Sequence, residues 1–248
     1  MTLLAYFPDA PDLHAALSAA LASLPDTRLD PTEVPDVDWV ARFRESFRGV
    51  DAGGFRIVPH WDAPPAPLMR KGAVILVDPG RAFGTGTHES TRLCLELLRE
   101  LSRAGQLGRV LDLGTGSGIL AVAAARLGAR PVIAVDVDPE SMTSAREHAR
   151  LNGTALHLVR GDLAAAIRPG PFDLVLANIA APLLIERAAE IRGLGAPTVI
   201  LSGLLTTDVP DVVQAYSPAP RIEVRQDGEW AAVMVLTGTG TGTGMRRT

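Results

Sequence analysis

The chain has 248 residues, 47% of them apolar and only 4% aromatic, with a net charge of -4. That length supplies a sizeable core, filled with aliphatic rather than aromatic side chains. Nothing reads as a basic stripe, so no direct nucleic-acid partner is expected. The single cysteine, Cys94, excludes a disulfide within the chain. The histidines are scattered and no metal-ligand spacing occurs, so no metal is expected. The opening "MTLLAYFPDAPDL" lacks the basic and long apolar segments of a signal peptide. No apolar run approaches about 18 residues, which excludes a spanning helix. A cytoplasmic monomer that does not contact membranes is the expectation.

In chain order, "LLAYF" (Leu3–Phe7) reads as a strand, and Leu13, Leu17, Leu21 and Leu24 share one helical face. "TRLDPTEV" reads as a second short strand, its proline placing it at an edge. Residues 1–35 thus form a small strand–helix–strand unit. Residues 36–54 read as a connecting helix, with Trp39, Phe43 and Phe47 on one face, and a linker. "FRIVPHW" and "AVILVDPG" are strand-like and flank a proline-rich loop. The second runs into "DPGRAFGTGTHEST", a glycine- and threonine-rich stretch before a helix over Glu89–Ala104.

From Arg109 the pattern alternates. Strand-like runs are "RVLDLG", "PVIAVDV", "ALHLVRGD", "FDLVLANI", "PTVILSG", "RIEVRQDG" and "WAAVMVLTG", with helical stretches between the first five. This predicts an α/β fold with an open, mostly parallel sheet covered on both faces. The turn at "QDGEW" is too short for a crossover, so the last two strands form an antiparallel hairpin. The main domain spans 55–237, and the low-complexity tail 238–248 is expected to be disordered.

Gly114, Gly116 and Gly118 follow the first of these strands and open an apolar helix. Glycines let the backbone pass close beneath a ligand and turn sharply into a helix. A tight turn with no ligand is the alternative. Asp136, at the tip of the next strand, is placed to accept two ribose hydroxyls, whereas Asp138 reads as a helix cap. Together they indicate an adenosine-containing ligand. Asp162, after the third strand, lies where a ring-edge contact to an adenine is possible; an ordinary turn is the alternative. Asn178 ends the fourth strand, where ligands bind in such sheets; a helix cap is the alternative.

The stretches "LDLGTGSG", "VDVD" and "LANI", with the final hairpin, resemble class I methyltransferases that use S-adenosylmethionine. "DPGRAFGTGTHESTRLCLELL", with "DVDWVARFRESF" and "LANIAAPL", resembles the ribosomal protein L11 methyltransferase family over about Asp36–Leu236. The resemblance implies a Rossmann-like seven-stranded sheet and methylation of lysine ε-amines, in some members also an N-terminal α-amine. It implies ribosomal protein L11 as the partner and substrate. It places cofactor contacts at Thr91, Gly114, Asp136 and Asn178, joined by Gly116, Gly118, Asp162, and Phe83 and Gly84 of the early stretch. That stretch is implied to close over the methionine portion of the cofactor. Only about the second half of the family's ferredoxin-like N-terminal domain is matched. A different substrate, a reduced recognition mode and a start codon placed too late all remain open.

Methyl transfer from a sulfonium needs a neutral nucleophile, yet a lysine amine titrates near about 10.4. The site must therefore desolvate the ammonium or give its proton a route. Asn178 is expected at the amine as acceptor and positioner, and His88 is a candidate for proton removal. A nicotinamide oxidoreductase and a non-catalytic binding module are the rival classes. The G-x-G-x-G spacing and final hairpin argue against the first, and the intact Gly114, Asp136 and Asn178 against the second. Methylation of another protein, or of a small amine, stays open.

Overall fold

The computed structural model describes residues 7, 10–24, 28–30, 49–65, 74–78 and 88–237. The chain divides into two compact units, Met1–Arg42 and Phe43–Thr248. In the first, helix α1 spans Leu13–Ala20, with Leu13, Leu17 and Leu21 half-buried along the expected face. Both flanking strands fall mostly outside the described residues, as do the expected connecting helix, the tail, Phe83 and Gly84; residues 28–30 carry no strand.

The described part of the second unit begins with a hairpin whose second strand was expected and whose first falls in the expected linker. Strand β1 (Val50–Ala52) pairs antiparallel with β2 (Phe55–Pro59). The available signal was the Gly53-Gly54 pair, with φ of +54° and +75°. Two successive positive φ values make the tight turn whose twist matches a hairpin. Strand β3 (Val74–Val77) adds parallel to β2 and completes a three-stranded sheet.

Helix α2 (Glu89–Arg103) follows, and its leucines 93, 95, 97, 98 and 101 are buried. Then come β4 (Val110–Leu113), α3 (Ile119–Arg126), β5 (Val132–Asp136), α4 (Pro139–Leu151), β6 (His157–Arg160) and β7 (Leu174–Asn178). Short helices α5 (Ala181–Glu186) and α6 (Ala188–Gly193) lead to β8 (Thr198–Leu205). Helix α7 (Val209–Ala215) precedes the hairpin of β9 (Arg221–Asp227) and β10 (Trp230–Leu236). The crossover from β6 to β7 differs from expectation, because it carries only a 3-10 turn, Leu163–Ala166. Pro169 and Pro171 follow closely, and proline cannot sit in a helix interior.

The main sheet has seven strands in the order β6-β5-β4-β7-β8-β10-β9, parallel except for β10, which pairs antiparallel with both neighbours. Alternation along each strand splits the core in two. Val110, Leu174, Leu176 and Ile200 join α2, α3 and the small sheet, whereas Leu111, Val175, Val199 and Leu201 join α5, α6 and α7. The reversal of strand order falls between β4 and β7, so their carboxyl ends flank the crevice where ligands of such sheets bind. No helix among the described residues is long and apolar enough to cross a membrane.

Two glycines separate strain from crowding. A Cβ at Gly118 (φ +78°) would stand 2.8 Å from Ala145 Cβ and 2.9 Å from its Cα, whereas one at Gly153 (φ +60°) meets nothing within 4 Å. Left-handed backbone alone costs an L-residue roughly 1–2 kcal/mol, and overpacking adds roughly 1–3 kcal/mol. In urea unfolding, Gly118→Ala is therefore expected to lose about 2–5 kcal/mol and Gly153→Ala about 1–2 kcal/mol. Equal losses would show that α3 and α4 do not press on Gly118.

Candidate functional site

The turn from β4 into α3 has φ of +67°, +54° and +78° at Gly114, Gly116 and Gly118. A Cβ at Gly114 would lie 2.4 Å from Ile179 Cγ2, so the residue just after β7 crowds this loop from one side as α4 crowds it at Gly118. The Gly116 N–H donates to Asp136 Oδ2 at 2.8 Å, and the Asp138 N–H donates to Asp136 Oδ1 at 3.0 Å. The Asp136 carboxylate is thereby fixed in orientation, with one lone pair per oxygen directed elsewhere. Asp138 has the separate role expected of it. It accepts from the Glu140 and Ser141 N–H groups, both at 3.1 Å, and caps α4 with Pro139 in the first turn. The Glu140 N–H, followed by the Ser141 hydroxyl and N–H, holds the Asp138 carboxyl below its ordinary value.

Asn178 and Thr91, far apart in sequence, meet here. Asn178 Nδ2 donates to Thr91 Oγ1 at 3.4 Å, and Thr91 is fully buried in the first turn of α2. Asn178 is not a helix cap, since Ala180 holds that position for α5. With its NH2 on Thr91, the amide presents an acceptor oxygen.

His88 is the cap of α2. Its Nδ1 accepts from the Ser90 N–H at 3.3 Å and lies 2.8 Å from Ser90 Oγ. Its ring meets Trp230 edge-on, centroids 4.3 Å apart. Because Nδ1 accepts the Ser90 N–H, the neutral ring carries its hydrogen on Nε2. Asp162 forms an ion pair with Arg187 at 3.1 Å, and Leu163 beside it has φ of +42°. A Cβ at Gly161 would stand 2.3 Å from Ala166 Cβ, so packing alone accounts for that glycine.

Several contributors escaped the sequence reading. Asp112, on β4 beneath the loop, is buried and accepts from Thr115 Oγ1 at 2.6 Å. Burial pushes its carboxyl up to about 6; the Thr115 hydroxyl and Ala121 N–H oppose this, and Asp136 adds to it. Ser202 and Gly203 form a bulge, because β8 advances from Leu201 to Leu204 while β10 moves only from Val233 to Ala231. Ser202 Oγ lies 3.2 Å from the Ser90 carbonyl and 3.0 Å from that of Ala231, so it ties α2 to the sheet. The Ile179 N–H donates to the Ser202 carbonyl at 3.1 Å. A Cβ at Gly203 (φ +79°) would stand 2.6 Å from the Ile179 carbonyl oxygen.

The raised carboxyl of Asp112 has a pH signature. Between about pH 4 and 6 the folded state holds a proton that the unfolded state has released, so stability falls as pH rises through that window. A displacement of about two pH units corresponds to about 3 kcal/mol. Asp112→Asn cannot ionise. The difference in unfolding free energy, variant minus wild type, is therefore expected to grow by about 3 kcal/mol between pH 4 and pH 7.5. A flat difference would show that Asp112 ionises as readily folded as unfolded.

Known proteins are similar to this chain. The family model described as ribosomal protein L11 methyltransferase (PrmA) matches residues 1–237. The ribosomal protein L11 methyltransferase of Geobacter sulfurreducens is 41% identical over 248 residues, covering 94% of this chain and 81% of the relative. That of Caldicellulosiruptor saccharolyticus is 34% identical over 243 residues, covering 93% and 79%. The crystal structure of a ribosomal protein L11 methylase from Lactobacillus delbrueckii subsp. bulgaricus superimposes with a TM-score of 0.68 at 34% identity, over 77% of this chain and 99% of that one. The fold, the family-specific stretch and these similarities together establish that the chain belongs to the ribosomal protein L11 methyltransferase family and is a methyltransferase.

Proposed function

We propose that the chain transfers methyl groups from S-adenosylmethionine to lysine ε-amines of ribosomal protein L11, in the cytoplasm and before that protein is assembled. The observation that carries this is the meeting of Asn178, Thr91 and the Gly114 loop at the switch point, beside a fixed carboxylate at Asp136. The relatives' names point to the same substrate.

The residues suit the cofactor. A carboxylate whose oxygens each keep a lone pair fits a ribose diol, and the left-handed turn brings backbone close to a bound molecule. Asp136 would hold the ribose and Gly114–Gly118 the amino-acid end. Thr91 would hold the Asn178 amide in place. Bound there, S-adenosylmethionine supplies an electrophilic methyl carbon on a sulfonium sulfur.

The chain's own task is to deliver a neutral amine to that carbon. The Asn178 amide oxygen accepts one N–H of the incoming amine and aims the nitrogen lone pair into the crevice. Orientation matters most, since reacting atoms must approach within about 3–3.5 Å. Desolvation at the mouth favours the neutral amine over ammonium. His88, as the cap of α2, sets where Thr91 stands, and hence the pose of Asn178.

Two measurements test this reading. Asp136→Ala is expected to weaken binding of S-adenosylhomocysteine about ten- to a hundredfold by calorimetry, the loss of a charge-assisted hydrogen bond. Unchanged affinity in a folded variant would remove Asp136 from the site. Incubation with S-adenosylmethionine and free ribosomal protein L11 is expected to add mass in steps of about 14 Da on lysine-bearing peptides. Labelling of another protein with none on L11 would move the substrate and keep the methyltransferase.

A further inference from the structure

His148 is 2% exposed and has no part in the chemistry above, yet both its ring nitrogens are engaged at the site's two edges. Nε2 accepts the Asp78 N–H at 2.8 Å, and Nδ1 lies 2.6 Å from the Ser117 carbonyl. The partners settle the tautomer. An N–H can only donate, so Nε2 carries no hydrogen; a carbonyl can only accept, so Nδ1 carries one. A protonated ring would face the Asp78 N–H with a second donor.

The surroundings show how this contact arises. Among the described residues, strand β3 pairs with β2 along one edge only. Its other edge is met by two residues one helical turn apart at the end of α4. Asn152, 4% exposed, accepts the Leu76 N–H at 2.8 Å and donates to the Leu76 carbonyl at 2.7 Å. His148 then takes the next N–H on that edge, at Asp78. Asn152 also donates to the His148 carbonyl at 2.8 Å, which fixes the pair to each other. The Ser117 contact does something more, because Ser117 lies inside the Gly114–Gly118 loop and Asp78 directly precedes the early glycine stretch. One rigid ring joins the two.

We propose that His148 is a positioning residue that couples the end of β3, at Asp78, to the Gly114–Gly118 loop, so that a ligand held by the loop is felt at the strand. This rests on the reading of the Gly114–Gly118 loop as the cofactor site.

Hydrogen exchange by mass spectrometry, with S-adenosylhomocysteine as the probe, tests it. In the wild type the probe is expected to slow exchange in peptides over Thr115–Gly118 and over Leu76–Asp78. In His148→Leu, each state compared with the same variant without probe, the probe still slows exchange over Thr115–Gly118 and its slowing over Leu76–Asp78 is lost. His148→Gln, whose amide offers one donor and one acceptor, restores both. His148→Phe replaces the leucine variant if that one does not fold. A purely structural histidine would lower the melting temperature and leave the pattern of protection intact. That outcome, both segments responding in a folded His148→Leu or His148→Phe, overturns the coupling alone. No response at Thr115–Gly118 in the wild type overturns the cofactor reading, and the coupling with it.

Discussion

Ile179 sits between two glycines, and the site depends on that fit. A Cβ at Gly114 would press on its side chain at 2.4 Å, and a Cβ at Gly203 would press on its carbonyl at 2.6 Å. Both glycines have positive φ, so any other residue would meet strain as well as crowding. The two contacts set where β7 ends, and therefore where Asn178 presents its amide. The β4 loop, the end of β7 and the bulge in β8 thus behave as one layered assembly. Displacing any layer moves the acceptor that the proposed chemistry uses, and misplacement of about 1 Å can cost on the order of a hundredfold in rate.

Around that assembly the chain accepts unfavourable terms that a purely structural fold would avoid. Asp112 is buried beneath the loop with its carboxyl pushed up to about 6. A buried carboxylate costs free energy unless hydrogen-bonded, and here the Thr115 hydroxyl and Ala121 N–H offset only part of the burial. Cys94 shows the contrast. Burial pushes its thiol up to about 12, so it stays neutral and behaves as a small apolar side chain. This buried carboxyl lies under the β4 loop, where function is expected to sustain its cost.

Much of this was legible in the sequence because it is local. The Asp138-Pro139 start of α4, the alternation of buried strands and the tight turn at Gly228 are all written within a few residues. Contacts across long separations were not. Nothing near Asn178 announces Thr91, nothing near His148 announces Asp78 and Ser117, and the Ser202–Gly203 bulge looks like the end of a strand until β10 is laid beside it. Val50–Ala52 was missed for another reason: three residues are too few to show alternation, and only the Gly53-Gly54 turn betrays the hairpin. His88 carries a duty that its sequence context did not show. A lone histidine in a threonine-rich stretch suggested acid–base chemistry, and its first geometric duty is to cap a helix.

The central claim is that the crevice between β4 and β7 orients an adenosine-bearing sulfur compound toward Asn178. A crystal structure with S-adenosylhomocysteine tests this most directly. The account predicts both ribose hydroxyls within hydrogen-bond reach of the Asp136 carboxylate, and the thioether sulfur facing the Asn178 amide. A ribose placed away from Asp136, or a sulfur turned from Asn178, would contradict it.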